Sequence, residues 1–180
     1  MKPDNRLFLI GALFIIFTLA SGCTTRNPQP ELSSSVPTVT KAVETMVKPT
    51  EIEGGLADVL SVNVSGNVNE YQFTVEISSP DLGCEQYADW WEVFDDQGNL
   101  LYRRILAHSH VNEQPFKRSG GLVAVDADTV VWVRAHMHPF GYGGEVQKGS
   151  VNSGFQTSEL PQGFAERLEE LPPLPDNCAF

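Results

Sequence analysis

The four histidines of this sequence fall into two H-x-H units, His108/His110 and His136/His138. Residues i and i+2 of a β-strand point to the same face, so each unit would aim two imidazoles in one direction. Three or four converging imidazoles suit Zn, Cu, Ni or Fe, and without a metal they would repel one another when protonated below about pH 6.5. We therefore predict a metal site formed by these four histidines, with Zn or Cu bound. The alternative is that they are polar strand-end residues, solvated or hydrogen-bonded to neighbours.

Two carboxylates lie close enough in the sequence to complete or orient such a site. Glu113 follows the first histidine unit, and Asp89 precedes a predicted strand. In a small metalloenzyme, Glu113 would be the acid or base. Ser109 lies between two histidines but on the opposite face of its strand, and the sequence contains no G-x-S-x-G elbow. We therefore predict no catalytic residues and favour a binding module over an enzyme.

The first histidine unit also resembles a motif of the cupin family. His108, His110, Glu113 and Gly120 match its order of residues. The pattern departs at Tyr102, where the family has glycine, and no second cupin motif is recognisable. We therefore do not assign the chain to the cupins.

Aromatic and basic residues surround the histidines and are candidate ligand contacts. Two of them share a strand face with the second histidine unit, one lies in the following glycine-rich loop, and two lie on a predicted loop over residues 114–121. Loops on a rigid scaffold are where binding usually takes place. The predicted ligand-binding residues are Trp132, Arg134, Tyr142, Phe116 and Arg118.

The elements that would position these residues are β-strands. Tyr71, Phe73, Val75 and Ile77 alternate with polar residues, which is typical of a half-buried strand. Such strands, separated by turn residues, predict an all-β fold over residues 57–158. This is a single β-sandwich of about seven strands, immunoglobulin-like or fibronectin-like, with a small barrel as the alternative. The predicted strands are 59–64, 71–77, 90–94, 100–107, 122–125, 129–137 and 146–155.

Both histidine units fall at the C-terminal ends of predicted strands. One strand intervenes between 100–107 and 129–137, so these two strands should run in the same direction. We therefore expect both units at one end of the domain. The distance between them does not follow from the sequence.

Residues 159–180 are predicted to form a short amphipathic helix and a proline-rich tail. Phe164, Leu168 and Leu171 have helical spacing, and Pro172-Pro173 would end the helix. Cys84 and Cys178 are expected to form a disulfide that holds this tail on the domain. The alternative makes Cys84 a metal ligand.

The N-terminus combines Lys2 and Arg6, an apolar run over residues 7–20, and small residues directly before Cys23. The run is too short to span a bilayer comfortably. This order resembles the lipobox of bacterial lipoproteins, in which the cysteine is acylated and becomes the new N-terminus. The resemblance implies a signal peptide over residues 1–22 and lipidation of Cys23. Thr24 stands where Gram-negative inner-membrane lipoproteins carry Asp, which favours the outer membrane, periplasmic side, if the source organism has one.

Composition limits the partners. Residues 23–56 are rich in Pro, Ser and Thr and are predicted to be a flexible tether. The chain has 12 basic and 23 acidic residues and a net charge of −11, which argues against nucleic acid or anionic lipid headgroups as partners. We predict a membrane-anchored extracytoplasmic lipoprotein that binds a metal ion, a cell-wall component or a protein. A metalloenzyme and a structural envelope lipoprotein are the alternatives.

Overall fold

The computed structural model describes residues 55–179. The predicted signal peptide, Cys23 and nearly all of the predicted tether lie outside the described residues. Within residues 55–179, no helix is long and apolar enough to cross a membrane. The strands are β1 (Asp58–Asn67), β2 (Glu70–Ser78), β3 (Tyr87–Asp95), β4 (Leu100–Ile105), β5 (Phe116–Val123), β6 (Val131–His138), β7 (Val146–Ser150) and β8 (Gly154–Ser158).

These strands form two antiparallel sheets, one with the order β1-β2-β5 and one with the order β4-β3-β6-β7-β8. Phe73, Val75 and Ile77 of β2 are fully buried and belong to the same core as Trp91 and Val93 of β3. The prediction of an all-β fold with two packed sheets is therefore confirmed. Its immunoglobulin-like or fibronectin-like topology stays a prediction.

The five-stranded sheet is covered on both faces. On β6, Val133 and Ala135 face the core between the sheets, whereas Trp132 packs with Phe94, Ala165 and other residues in a second apolar cluster. Ala165 belongs to the segment after β8. Strand β3 is consequently buried along nearly its whole length, because residues beyond β8 lie against its outer face.

Two strand predictions were wrong in detail. Residues 116–121 belong to β5 and not to a loop, and residues 146–155 form the hairpin of β7 and β8 instead of one strand. Strand β5 lacks apolar alternation and contains Gly120, whose position allows close packing. A Cβ atom there would lie 2.6 Å from the hydroxyl oxygen of Tyr102 and 3.0 Å from the indole of Trp91.

The predicted C-terminal amphipathic helix is absent from the described residues, which contain only a 3-10 helix over Glu166–Glu170. Leu168 is buried as its spacing predicted. A helix this short is marginal on its own, and the Arg103 side chain donates hydrogen bonds to the carbonyls of Leu168 and Leu171. The segment is therefore held by side chains of the sheet more than by its own helical hydrogen bonds.

The disulfide between Cys84 and Cys178 is confirmed, with 5.6 Å between the two Cα atoms. It attaches the tail to the connection between β2 and β3, and the amide of Ala179 donates a hydrogen bond to the carbonyl of Ala107. Cys84 is therefore not a free thiolate, and the alternative of a metal-ligating Cys84 is wrong.

Candidate functional site

The two histidine units lie on either side of the disulfide. Strands β4 and β6 both run antiparallel to β3 and hence in the same direction, as expected. His136 and His138 end β6, but His108 and His110 lie in the loop after β4 and not on a strand. One pocket is lined by the first pair and a second pocket by the other pair, and Cys84 contributes to both.

The predicted four-histidine metal centre is not assembled in the described part of the chain. Among residues 55–179, no group of three or more His, Cys, Asp and Glu side chains is arranged to hold a metal ion. Each histidine pair instead has its own neighbours.

His110 is buried without a hydrogen-bond partner for either ring nitrogen among the described residues. Its ring stacks on Phe116 with 3.8 Å between ring centres, and its Nδ1 lies 3.8 Å from the Asp81 carboxylate. Burial lowers the pKa of His110, and the charges of Arg118 and His108 act in the same direction. The ring is therefore a neutral imidazole near neutral pH.

Asp81 fixes the position of this loop. Its buried carboxylate accepts hydrogen bonds from the amide of His110 at 2.7 Å, from the amide of Ala88 at 3.0 Å and from the hydroxyl of Ser79 at 2.6 Å. Carboxylate hydrogen bonds to backbone amides are among the stronger ones in proteins. The loop that carries the first pair is thus attached firmly to the start of β3.

Glu113 pairs with Arg118 in place of either histidine. The guanidinium donates two hydrogen bonds to the carboxylate, at 2.6 and 3.1 Å. The hydrogen bond from Arg118 is the main cause that lowers the pKa of Glu113. Both charges of this exposed pair are consequently neutralised beside the first histidine pocket.

His136 has partners for both ring nitrogens. Its Nδ1 lies 2.6 Å from Asp89, and its Nε2 lies 3.3 Å from Glu169 of the 3-10 helix. The ring stacks on Trp90 at 3.6 Å with a 6° interplanar angle. This histidine therefore joins the sheet to the C-terminal segment, and Asp89 orients it. His138 is exposed beside Tyr87.

Sequence reasoning missed a buried ion cluster on the outer face of the five-stranded sheet. Glu92 of β3 lies directly opposite Arg103 of β4 and Arg134 of β6. Arg103 Nε and Arg134 Nε each donate to the Glu92 carboxylate at 2.8 Å. The three side chains are nearly inaccessible to solvent.

Main-chain carbonyls accept further hydrogen bonds from both guanidinium groups of this cluster. Arg134 donates to Ala165, and Arg103 donates to the carbonyls of Leu168, Leu171 and Pro173. These carbonyls all belong to the C-terminal segment. The only available signal in the sequence was polar residues on strands that otherwise read as apolar, which does not reveal their partners.

The five predicted ligand-binding residues are distributed over three places. Phe116 and Arg118 lie beside His110. Trp132 donates to Asp96 at 2.7 Å and packs near Phe164, so it supports the C-terminal segment.

The remaining two, Arg134 and Tyr142, line a cleft of about 600 Å³ formed with residues 143–146 and 157–166. The guanidinium of Arg134 lies 3.4 Å from the centre of the Tyr142 ring. Burial raises the pKa of Tyr142 well above its ordinary value of 10.0, and the nearby charge of Glu92 contributes in the same direction.

This pKa shift predicts alkaline destabilisation that depends on Tyr142. Above about pH 10 the unfolded chain loses the phenolic proton while the folded chain keeps it, so the free energy of unfolding falls as pH rises. We expect Tyr142→Phe to show a smaller fall between about pH 8 and about pH 11, measured by urea unfolding at each pH. Equal falls for the two proteins would contradict the assignment.

Comparison with known proteins adds one relative. No protein-family model matches the chain, and no solved structure matches it. A curated protein of Halomicrobium mukohataei, named "Putative lipoprotein", is 34% identical over 147 residues, which cover 81% of this chain and 70% of that protein. This chain belongs to the same family of lipoproteins.

Proposed function

We propose that the chain is a membrane-anchored extracytoplasmic binding module and that its ligand site is the cleft beside Tyr142. The lipoprotein relative and the lipobox-like sequence before Cys23 support the anchoring. A lipid anchor on Cys23 would leave residues 55–179 free to meet ligands outside the cytoplasm.

The main support for the proposal is the cleft, because its size and lining match those of small-molecule sites. Ligand pockets commonly have volumes of about 300–1,000 Å³ and apolar linings with a few polar groups. Here the volume is about 600 Å³, and the apolar lining includes Tyr142, Leu160 and Phe164. An organic ligand with an apolar body would fit such a lining.

The charge of the cleft favours a cationic group on that ligand. Arg134 is paired with Glu92, which Arg103 shares, so the buried cluster behind the cleft keeps one net positive charge, fewer than the negative charges at the cleft's mouth. The exposed acidic residues Glu145, Glu159 and Glu166 also line the cleft, and the chain as a whole carries a net charge of −11. Carboxylates at the mouth of a cleft attract cations and repel anions. The proposed ligand class is therefore small organic amines.

The test compares matched ligands of opposite charge on the full-length protein in detergent. We expect phenethylamine to shift the NMR signals of the Gly143 and Gly144 amides and phenylacetate to leave them unchanged. Glu159→Gln, which removes one rim charge, should weaken amine binding about two- to fivefold. Glu70→Gln, an exposed change at the start of β2, serves as the control and should have no effect.

Two outcomes would refute this function. One is the absence of cleft shifts with phenethylamine and with a polyamine such as spermidine. The other is equal binding of phenylacetate. The first would leave a structural envelope lipoprotein as the better interpretation, and the second would refute the amine class of ligand.

A further inference from the structure

The first histidine pair lines a pocket that shares no residue with the proposed amine cleft. His110 is only 3% exposed, yet neither of its ring nitrogens has a hydrogen-bond partner among residues 55–179. Buried polar groups are nearly always satisfied in folded proteins, and those that are not call for a bound species or a functional explanation. His110 is one of the residues that line a pocket of about 460 Å³, together with His108. We propose that His108 and His110 bind one divalent transition-metal ion, Cu(II) or Ni(II), with water in the remaining positions.

The spacing of the two rings fits a shared metal. Their centres lie 4.7 Å apart. An imidazole nitrogen binds a metal at about 2 Å, which places each ring centre about 3 Å from the ion. A 4.7 Å separation then corresponds to an angle of about 100° at the metal, which two ligands of one ion can adopt. Two imidazole nitrogens completed by water oxygens are a donor set that suits Cu(II) and Ni(II).

The two histidines differ in mobility in a way that suits metal capture. The stack on Phe116 and the hydrogen bond from the His110 amide to Asp81 hold His110 in place. His108 is exposed, and so its ring can turn to admit an ion and complete the pair. One fixed ligand and one adjustable ligand therefore face the same pocket.

The surrounding charges permit a cation. Arg118 is a positive group near the pair, since its guanidinium carbon lies 5.3 Å from the centre of the Phe116 ring on which His110 stacks. Its charge is paired with Glu113, and the buried carboxylate of Asp81 lies 3.8 Å from His110 Nδ1. The charges around the pair, one guanidinium and two carboxylates, thus do not repel a divalent ion.

The other histidine pair lacks these properties. Both ring nitrogens of His136 already contact carboxylates, so it has no free position for a metal. His138 is exposed like His108 but has no unpartnered imidazole beside it. His138→Ala is therefore the matched control for His108→Ala.

The experiment uses the full-length protein in detergent, without a histidine tag. Cu(II) is titrated by calorimetry, and the bound ion is examined by electron paramagnetic resonance. We expect one equivalent of Cu(II) coordinated by two imidazole nitrogens. His108→Ala should weaken binding by at least about tenfold because it removes one of two protein ligands. His138→Ala should leave the affinity unchanged.

His108→Ala is the deciding variant because the exposed His108 can be replaced without disturbing the core. Any of three results would overturn the proposal: no stoichiometric Cu(II), binding that survives His108→Ala at full strength, or binding that His138→Ala weakens equally. None of these results bears on the amine cleft, whose test uses different ligands and variants.

Discussion

Glu92→Gln is expected to lower the free energy of unfolding by about 3–5 kcal/mol, because it leaves two buried guanidinium groups without their carboxylate. Glutamine keeps the size of the side chain, so the loss reflects charge and not a cavity. Arg103 and Arg134 would retain the main-chain carbonyls of the C-terminal segment and their contacts with aromatic rings, none of which carries a negative charge. Removing one partner of a buried ionic group is far more costly than replacing the whole group with apolar side chains.

Urea unfolding of the disulfide-intact protein measures this change. The control is Glu76→Gln on β2, which removes a carboxylate that lies 3.5 Å from Lys117 in a much more exposed pair. Exposed ion pairs contribute about 1 kcal/mol or less, so the control should be nearly as stable as the parent. Equal losses for the two variants would contradict the view that burial makes Glu92 important.

Replacing both Cys84 and Cys178 with serine is the second large effect we expect. The disulfide joins residues 94 positions apart, and closing a loop of that length stabilises the folded state by about 4–5 kcal/mol through the reduced entropy of the unfolded chain. The double variant avoids a free thiol. It should also loosen the C-terminal segment from the outer face of β3.

Two measurements separate these consequences. Urea unfolding reports the overall stability, and limited proteolysis reports cleavage within residues 171–178. Wild-type protein treated with dithiothreitol provides the control, because it breaks the same bond without changing the sequence. A loss of less than about 1 kcal/mol in the double variant would show that the other contacts of the segment suffice without the bond.

Much of the fold could be predicted from local patterns. Strand β2 alternates apolar and polar residues, and each of its apolar side chains is buried as expected. The disulfide could be predicted because only two cysteines remain once Cys23 is assigned to lipidation. Such features depend on neighbours in the sequence or on simple counting, which a single sequence contains.

Long-range pairing could not be predicted in the same way. Strand β5 has a glycine pair and no alternation, so nothing in its own residues distinguishes it from a loop. The C-terminal segment has helical spacing at Leu168, but the carbonyl of Leu168 accepts a hydrogen bond from Arg103, more than 60 positions away. The conformation of that segment depends on residues that no local window includes.

The positions of the histidines in the candidate sites could also be predicted only in part from the sequence. The shared direction of β4 and β6 follows from topology and is observed, although the first histidine pair lies in the loop after β4. Whether His110 and His136 converge depends on what each ring packs against. His110 stacks on Phe116 and His136 stacks on Trp90, and no sequence pattern predicts either contact.

The ion cluster on β3 has a consequence for how the strands align during folding. A strand buried on both faces lacks the apolar–polar alternation that usually fixes its register. A slip of two residues against β4 would place Glu92 opposite Leu101 or Ile105 instead of Arg103, and Arg103 would lose its counter-ion. A slip against β6 would do the same to Arg134. In β3, therefore, the pairing of Glu92 with arginines distinguishes the correct register from shifted ones. In β2, the alternation of apolar and polar residues does this.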